Sequence, residues 1–472
     1  MQTAFDVAES PRKLLRYGFL SDFTEKDRDN GALEWLLKCH INLVQFYDWS
    51  YRHDSLVAPQ EDYHDMMGKE ISGSTVKAKI AKAKALGMHP TAYGAVYAAS
   101  KPFFEKHPTW AFYNSCQEPF VFIDVFYIMN IAEGSPWRKH LFEEYQNAIS
   151  MMGFSGIHMD TYGFPKTAYS HLDAIPKKIK LEDELPTLID ETRENVHGEE
   201  EPYLIFNNVG AWPVQRTADR KQDAVYIEVW PPYDRYASIA QLIRDARTYA
   251  KDDKSIILAA YLKPFREGKR EKALPAAKLL MGSIVSNGAT HLLTGESQTA
   301  LTQGYYSDYT KFSDSEAEAI RRYYDYMIRY ENLFFDPELQ DVTMTHTGWD
   351  NYEYQCTSHK VSSYGEAGKI WMILREKDYR KCIYLLNLCG QSEDYWNEGK
   401  EEPDTQKDIK FTVQVDTPVE RICFSTPDGE NMDAVELHFT EKTTKTGKFI
   451  DFTVPSLNYW TTIWIDTRKE TI

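Results

Sequence analysis

The sequence has no long hydrophobic run, no low-complexity tract and little positive charge, and each absence narrows the possible functions. No apolar stretch approaches the roughly 20 residues of a transmembrane helix, so we expect no membrane partner. Lysine and arginine number 54 against 71 aspartate and glutamate, a net charge of 54 − 71 = −17, which argues against nucleic acid and anionic membranes. We therefore expect a partner that negative charge does not repel, such as a neutral polymer.

Motifs for metals, redox chemistry and a serine nucleophile are missing as well. The six cysteines form no CxxC pair, so the sequence predicts neither a zinc knuckle nor a redox centre, and such scattered cysteines are typical of reduced, buried thiols. There is no GxSxG elbow. Gly295 is followed by Glu-Ser-Gln, an anionic turn unsuited to phosphate. We expect no cofactor and no bound metal.

Aromatic residues, by contrast, are abundant. They make up 14% of the chain and include 31 tyrosines and 11 tryptophans. Such an excess is typical of proteins that stack rings against sugars, but large aromatic cores account for it equally well. The positions of these residues along the chain therefore matter more than their number.

Short apolar runs alternate with helical patterns over most of the chain. Eight runs have strand character, and they are 16–22, 41–49, 91–97, 153–163, 203–208, 224–230, 255–261 and 288–296. A helix is predicted to begin at Ser135-Pro136, and a charged stretch at about 165–200 also has a helical pattern. We predict an α/β fold: a lead-in segment at residues 1–15, then a catalytic (β/α)8 TIM barrel at 16–335.

The pattern changes near residue 340. From there the chain holds short alternating runs separated by glycine, proline and charged turns, and helical patterns are absent. This predicts a C-terminal antiparallel β-sandwich domain at residues 340–472.

Two carboxylates at predicted strand ends are the candidates for catalysis. Asp160 ends the run Gly-Ile-His-Met-Asp, in which alternation places Gly156, His158 and Asp160 on the side of the barrel axis. Glu228 stands inside Val-Tyr-Ile-Glu-Val-Trp, where an unpaired buried charge would cost several kcal/mol. Two facing carboxyls are what glycoside hydrolysis needs. We expect an apolar setting to raise the pKa of Glu228 and a polar turn to keep Asp160 ionised.

Two other interpretations of these residues stay open. Asp160 and Glu228 could instead belong to structural ion pairs, with Lys263 or Arg235 as partners. His158 and Asp160 could also be a metal pair on one strand face, although no third ligand is in view.

Further polar and aromatic residues fall at the predicted barrel mouth and are candidates for sugar binding. They are Tyr47, Asp48, His53, Tyr97, His158, Asn207, Trp230, Lys263 and Glu296. Each aromatic residue taken singly is better explained by packing than by contact with a ligand, and Asn207 could belong to an ordinary turn.

Several segments together resemble glycoside hydrolase family 66, the family of endo-dextranases and cycloisomaltooligosaccharide glucanotransferases. They are Arg16-Tyr-Gly-Phe-Leu-Ser-Asp-Phe23, His40-Ile-Asn-Leu-Val-Gln-Phe-Tyr-Asp-Trp49 with Arg52-His53, Gly153–Gly163, Tyr226-Ile-Glu-Val-Trp230 and Val454-Pro-Ser-Leu-Asn-Tyr-Trp460. The resemblance implies a barrel with a C-terminal β-domain and retaining, endo-acting cleavage of internal α-1,6-glucosidic bonds. It implies dextran or isomalto-oligosaccharides as the partner, Asp160 as nucleophile and Glu228 as acid/base.

This sequence departs from the family pattern in two places. The family usually has a secretion signal and an immunoglobulin-like domain before the barrel, whereas this chain starts at the barrel with no signal peptide. Two localisations stay open: cytoplasmic, or secreted or periplasmic if a leader has been removed. The segment at about 262–288 is also short, without the carbohydrate-binding module that glucanotransferases of this family insert there, which favours hydrolysis over cyclisation.

Together with the two strand-end carboxylates, the resemblance implies an endo-dextranase. Two alternatives remain at this point: a non-catalytic glucan-binding protein on the same scaffold, and a retaining hydrolase or transglycosylase of another α-glycan.

Overall fold

The computed structural model describes residues 3–28, 31–348 and 351–468, and at its centre lies a curled sheet of eleven strands. Seven of these strands form a parallel series in which each strand pairs with the one that follows it in this list: Tyr17–Leu20, Leu43–Phe46, His89–Ala95, Gly156–Asp160, Tyr203–Val209, Ala224–Glu228 and Ser255–Ala259. Thr290–His291 then pairs with Ser255–Ala259, and Thr294–Gly295 pairs with Tyr17–Leu20. One segment of chain, Thr290 to Gly295, thus contacts both ends of the parallel series.

The remaining two strands of this sheet, Thr299–Ala300 and Thr310–Lys311, continue antiparallel from Thr294–Gly295. The α/β class is confirmed, and the predicted strands lie side by side in a largely parallel sheet. The (β/α)8 barrel as such stays a prediction, since the eighth position is split into two short strands.

Helices connect the strands of the sheet. In the described ranges the α-helices are Ala32–Lys38, Gly73–Ala85, Lys101–Lys106, Pro136–Asn147, Leu181–Asn195, Val214–Thr217, Tyr236–Ala250, Ala273–Ser286, Asp314–Arg329 and Glu331–Phe334. The helix at Pro136 begins as predicted, because Ser135 Oγ accepts the N–H of Trp137 at 3.3 Å. No helix in this part of the chain is long and apolar enough to cross a membrane.

The helical prediction for about 165–200 is wrong in its first half. Thr167–Ser170 and Lys177–Lys180 form an antiparallel pair that extends to Phe112–Tyr113, and the helix begins only at Leu181. Ile179 is buried between exposed lysines, which is the two-residue period of a strand, whereas the lysines alone suggest the polar face of a helix. Other short strands in the connections are Asp62–His64, Glu70–Ser72, Ala98–Ala99, Val121–Phe122 and Phe126–Ile128.

Two further sheets occupy the C-terminal part of the described chain. One contains Gln340–Asp341, Val361–Ser362, Ile370–Lys377, Arg380–Asn387, Val419–Ser425, Val435–Glu436 and Trp460–Thr467. The other contains Tyr354–Cys356, Gln406–Gln414, Phe439–Thr444 and Gly447–Leu457. Buried side chains from both sheets, Ile383, Phe411 and Ile450 among them, form one apolar cluster.

The first of these sheets also packs on the helix Ala273–Ser286. A Cβ at Gly282 would lie 2.7 Å from Leu386 Cδ2 and 3.1 Å from Trp460 Cγ, so only glycine permits this approach. The boundaries 1–15, 16–335 and 340–472 stay predictions, and their ends at residues 1–2 and 469–472 lie outside the described residues.

Candidate active site

Alternation along the strand Gly156–Asp160 sets the direction of its side chains. Ile157 and Met159 are buried in the apolar layer shared with the helices. His158 points the other way, where the Tyr17 hydroxyl lies 2.9 Å from its Nδ1 and the ring of Tyr226 lies 5.0 Å away. Asp160 follows on the same side as His158, at the carboxyl end of the strand.

Asp160 and Glu228 meet across the strand that separates them. Asn207 lies on the intervening strand Tyr203–Val209, and its Nδ2 donates to Asp160 Oδ1 at 2.7 Å and to Glu228 Oε2 at 2.9 Å. An amide nitrogen carries two N–H donors, one for each carboxyl. These two carboxyl oxygens are therefore at most 2.7 + 2.9 = 5.6 Å apart.

The second oxygen of each carboxyl accepts a tyrosine hydroxyl. Tyr93 donates to Asp160 Oδ2 at 2.7 Å, and Tyr261 donates to Glu228 Oε1 at 2.5 Å. Asp160 is 8% exposed and Glu228 9% exposed. In the described part of the chain neither acid forms an ion pair with lysine or arginine; neutral donors alone hold them.

The two acids lie in the wall of a cavity of about 570 Å³ at the carboxyl ends of the parallel strands. This volume is in the usual range for small-molecule and sugar sites. Tyrosines line much of it, and Tyr47 stacks on Tyr306 with ring centroids 4.4 Å apart. Asn207 Oδ1 is buried without a hydrogen-bond partner, so it is an acceptor available to a bound hydroxyl.

Burial controls the protonation of both acids. It raises the pKa of Asp160 to about 7, the nearby Glu228 carboxyl adds to the rise, and hydrogen bonds from Asn207 and Tyr93 oppose it. Burial likewise raises the pKa of Glu228, against the hydrogen bond from Tyr261. Both acids therefore keep a proton to higher pH than an exposed carboxyl does.

The predicted rise in the pKa of Glu228 is present, whereas the pKa of Asp160 is raised as well rather than kept low. His158, which precedes Asp160 on the same strand, does not lower the pKa of this acid, because it is itself buried among aromatic rings. Burial lowers the pKa of His158 to about 3, so its imidazole is neutral and supplies no positive charge.

Six of the nine residues predicted to bind substrate line this cavity with Asp160 and Glu228. They are Tyr47, Asp48, His53, His158, Asn207 and Trp230. Asp48 has a left-handed backbone (φ 52°), and burial, with Asp65 nearby, raises its pKa to about 8. Burial lowers the pKa of His53 to about 4, so its imidazole is neutral. Burial thus favours the uncharged form of both Asp48 and His53.

The other three predicted binding residues, Tyr97, Lys263 and Glu296, have different surroundings. The Tyr97 hydroxyl donates to the Phe164 carbonyl at 2.8 Å and accepts the Tyr162 N–H at 2.6 Å, so it orders the turn after Asp160. None of the three is among the described residues that line the cavity.

Lys263 and Glu296 are engaged in ion pairs. Lys263 Nζ lies 2.5 Å from Glu398 at the surface. Glu296 is fully buried in an ion pair with Lys79. The alternative in which Lys263 or Arg235 pairs with Asp160 or Glu228 is wrong, because Lys263 pairs with Glu398 and Arg235 with Asp394.

The sequence alone did not assign several residues that line the cavity. Gln45 lies on the strand Leu43–Phe46, two residues before Tyr47, and lines the same cavity, so the two-residue period could have identified it. Met67, Ile123 and Tyr305 come from connections without a pattern, and no sequence signal marks them.

Comparison with known proteins identifies the family. The model of glycosyl hydrolase family 66 matches residues 1–464. The chain belongs to glycosyl hydrolase family 66. The resemblance inferred from the sequence motifs is confirmed.

Two cycloisomaltooligosaccharide glucanotransferases from Niallia circulans are 22% and 20% identical to this family 66 chain. Each alignment covers 98% of this chain, which spans only 62% and 63% of the length of these relatives. A Paenibacillus sp. cycloisomaltooligosaccharide glucanotransferase complexed with cycloisomaltoheptaose superimposes with a TM-score of 0.87 at 18% identity, covering 98% of this chain and 86% of that one. At this identity the superposition shows the shared fold.

Proposed function

We propose that this protein is a retaining, endo-acting glycoside hydrolase that cleaves internal α-1,6-glucosidic bonds of dextran and isomalto-oligosaccharides at the mouth of a (β/α)8 barrel. The observation that carries the proposal is the Asn207 amide bonded to Asp160 and Glu228 at once. It limits the separation of these two oxygens to at most 5.6 Å, which admits the roughly 5–5.5 Å between carboxyls in retaining enzymes and is below the roughly 6.5–9.5 Å of inverting enzymes. Family membership supports the same chemistry.

In the proposed reaction Asp160 attacks the anomeric carbon while Glu228 gives its proton to the departing glycosidic oxygen. The bond from the anomeric carbon to that oxygen breaks, and an ester to Asp160 forms. Glu228, now ionised, takes a proton from water, which attacks the anomeric carbon and releases Asp160.

Product analysis after incubation with dextran tests this proposal. Endo cleavage gives a range of isomalto-oligosaccharides from the start, and retention gives α-anomers first in the NMR spectrum. Asp160→Ala and Glu228→Gln should each lower the release of reducing ends by about a thousandfold or more with an unchanged circular dichroism spectrum. Wild-type protein that binds dextran without releasing reducing ends would be a glucan-binding protein instead.

A second candidate is transfer of the glucosyl group to a sugar hydroxyl rather than to water. Trp230, two residues after Glu228, is 39% exposed at the cavity, where an indole could hold an acceptor sugar. The relatives named as glucanotransferases favour this candidate as well. The ratio of oligosaccharides longer than the donor to free hydrolysis products, measured at high donor concentration, separates transfer from hydrolysis.

A further inference from the structure

A strained β-hairpin turn stands at the rim of the cavity. Val121–Phe122 pairs with Phe126–Ile128, and the turn is closed by the Val125 N–H donating to the Phe122 carbonyl at 3.1 Å. Its two central residues, Ile123 and Asp124, have φ of 46° and 60°. Asparagine and glycine are favoured in such a turn, and a β-branched residue is strongly disfavoured.

Packing within the protein gives no reason for isoleucine at this position. The Ile123 side chain is 50% exposed, so it adds little to the core, and its apolar surface faces the cavity that holds Asp160 and Glu228. Strained backbone that persists at a binding cleft is an indication of function.

The base of the hairpin is fixed to the cavity wall. The Phe122 ring stacks on Tyr162 with centroids 4.3 Å apart, and the Phe126 ring lies 5.2 Å from the imidazole of His53. Tyr162 and His53 both line the cavity. Because these contacts fix the hairpin from below, the position of Ile123 at the rim is defined before any ligand binds.

The hairpin lies on the Asp160 side of the catalytic pair Asp160 and Glu228. It rests on Tyr162, two residues after Asp160, whereas Trp230 comes two residues after Glu228. In the proposed mechanism the leaving sugar lies toward the acid Glu228, and the sugar attacked by Asp160 lies on the other side. The chain on the non-reducing side of the cleaved bond thus runs toward the hairpin.

We propose that Ile123 is a specificity-determining residue that contacts the apolar face of a glucosyl unit on the non-reducing side of the attacked sugar. This inference rests on the proposed function. The contact favours longer substrates, because a short oligosaccharide that leaves this position empty gains nothing from it. The strained turn is then the consequence of presenting an apolar branched side chain to the substrate.

The test is the double substitution Ile123→Asn with Asp124→Gly, which gives the turn its favoured residues and removes the apolar contact. We expect the melting temperature to rise by about 2 °C and KM for dextran to rise about three- to tenfold, with kcat changed less than twofold. KM for isomaltose, whose two units span only the cleaved bond and leave this position empty, should stay within twofold of wild type. Ile123→Ala should raise KM for dextran similarly without the thermal gain.

Lys251→Gly is the matched control. Lys251 ends the helix Tyr236–Ala250 with a left-handed backbone (φ 59°) and is absent from the described cavity lining, so glycine should raise the melting temperature and leave KM unchanged. A double variant with wild-type KM for dextran would overturn the role of Ile123 even if the wild type cleaves dextran. Wild-type protein that cleaves no α-glucan would instead overturn the proposed function itself.

Discussion

Buried carboxylates occur in two regions at the carboxyl ends of the central strands. The two regions differ in the partners that bind these carboxylates. Glu296 is paired with the ammonium of Lys79 and also accepts the backbone N–H groups of Ser21 and Asp22 at 3.2 and 3.1 Å. Asp160 and Glu228 have an amide and two phenols but, among the described residues, no cationic partner. The first region is a closed structural ion pair, whereas the second holds two acids without a neutralising charge.

This difference teaches that a carboxylate at a strand end is not by itself evidence of catalysis. Removing one partner of a buried ion pair is costly, since the other charge is then unpaired in the interior. A pair of acids held only by neutral donors carries its own electrostatic cost, and this cost is relieved when one acid is neutralised. Substitutions in the two regions should therefore change stability in opposite directions.

The largest effect on stability is expected from Glu296→Ala. It leaves the buried Lys79 ammonium unpaired, so we expect a loss of about 3–5 kcal/mol in the free energy of unfolding, measured by chemical denaturation. The double variant Glu296→Leu with Lys79→Met removes both charges and should recover most of this loss. A single variant as stable as wild type would contradict the structural role of the pair.

In the catalytic pair, Asp160→Asn should instead stabilise the protein, and more so at high pH. Asp160 has a pKa of about 7 in the folded protein and of 3.8 as the reference value. Between these values the folded protein binds more protons than the unfolded chain, so the stability of the wild type falls as pH rises from about 4 to about 7. The asparagine variant has no such loss, and we expect its melting temperature to exceed that of wild type by about 3–5 °C at pH 8 and by little at pH 4.

Glu318, a carboxylate whose pKa is lowered rather than raised, is the control for that experiment. Arg321 hydrogen-bonds Glu318 and lowers its pKa, so Glu318→Gln should destabilise slightly above pH 5 and not stabilise. If Asp160→Asn also lowered the melting temperature at pH 8, as Glu318→Gln should, the assignment of a raised pKa to Asp160 would be wrong.

Much of this arrangement could be predicted from the sequence. The apolar runs gave the parallel strands, and the two-residue period placed His158 and Asp160 on one side. The central acids could not be distinguished from Glu296, because the partner Lys79 lies 217 residues away in the chain and only folding brings it close. The bridging role of Asn207 was likewise hidden, since it depends on the register of three strands.

Tyr93 and Tyr261, which donate to Asp160 and Glu228, offer a finer test of the different roles of the two acids. Burial raises the pKa of both acids, and one phenol opposes that rise at each of them. Tyr93→Phe should raise the pKa of Asp160 further and move the acidic limb of the kcat/KM profile to higher pH, because the nucleophile must be ionised. Tyr261→Phe should move the alkaline limb to higher pH, because Glu228 must be protonated.

These limb shifts should be about half a pH unit to one unit, with a fall in kcat of about tenfold or less. Tyr226→Phe is the matched control, since its hydroxyl hydrogen-bonds Tyr306 and neither acid. If both variants moved the same limb, the assignment of separate roles to Asp160 and Glu228 would fail.

The smallest effect is expected at Lys263, which the sequence placed at the mouth and the structure places in a surface ion pair with Glu398. An exposed pair of this kind contributes less than about 1 kcal/mol, and its ammonium lies outside the cavity that contains the acids. Lys263→Ala should therefore leave kcat and KM for dextran within twofold of wild type and the melting temperature within about 1 °C. A large rise in KM would mean that the bound glucan extends beyond the rim at Trp230 as far as this lysine, and the cavity would then be only part of the binding surface.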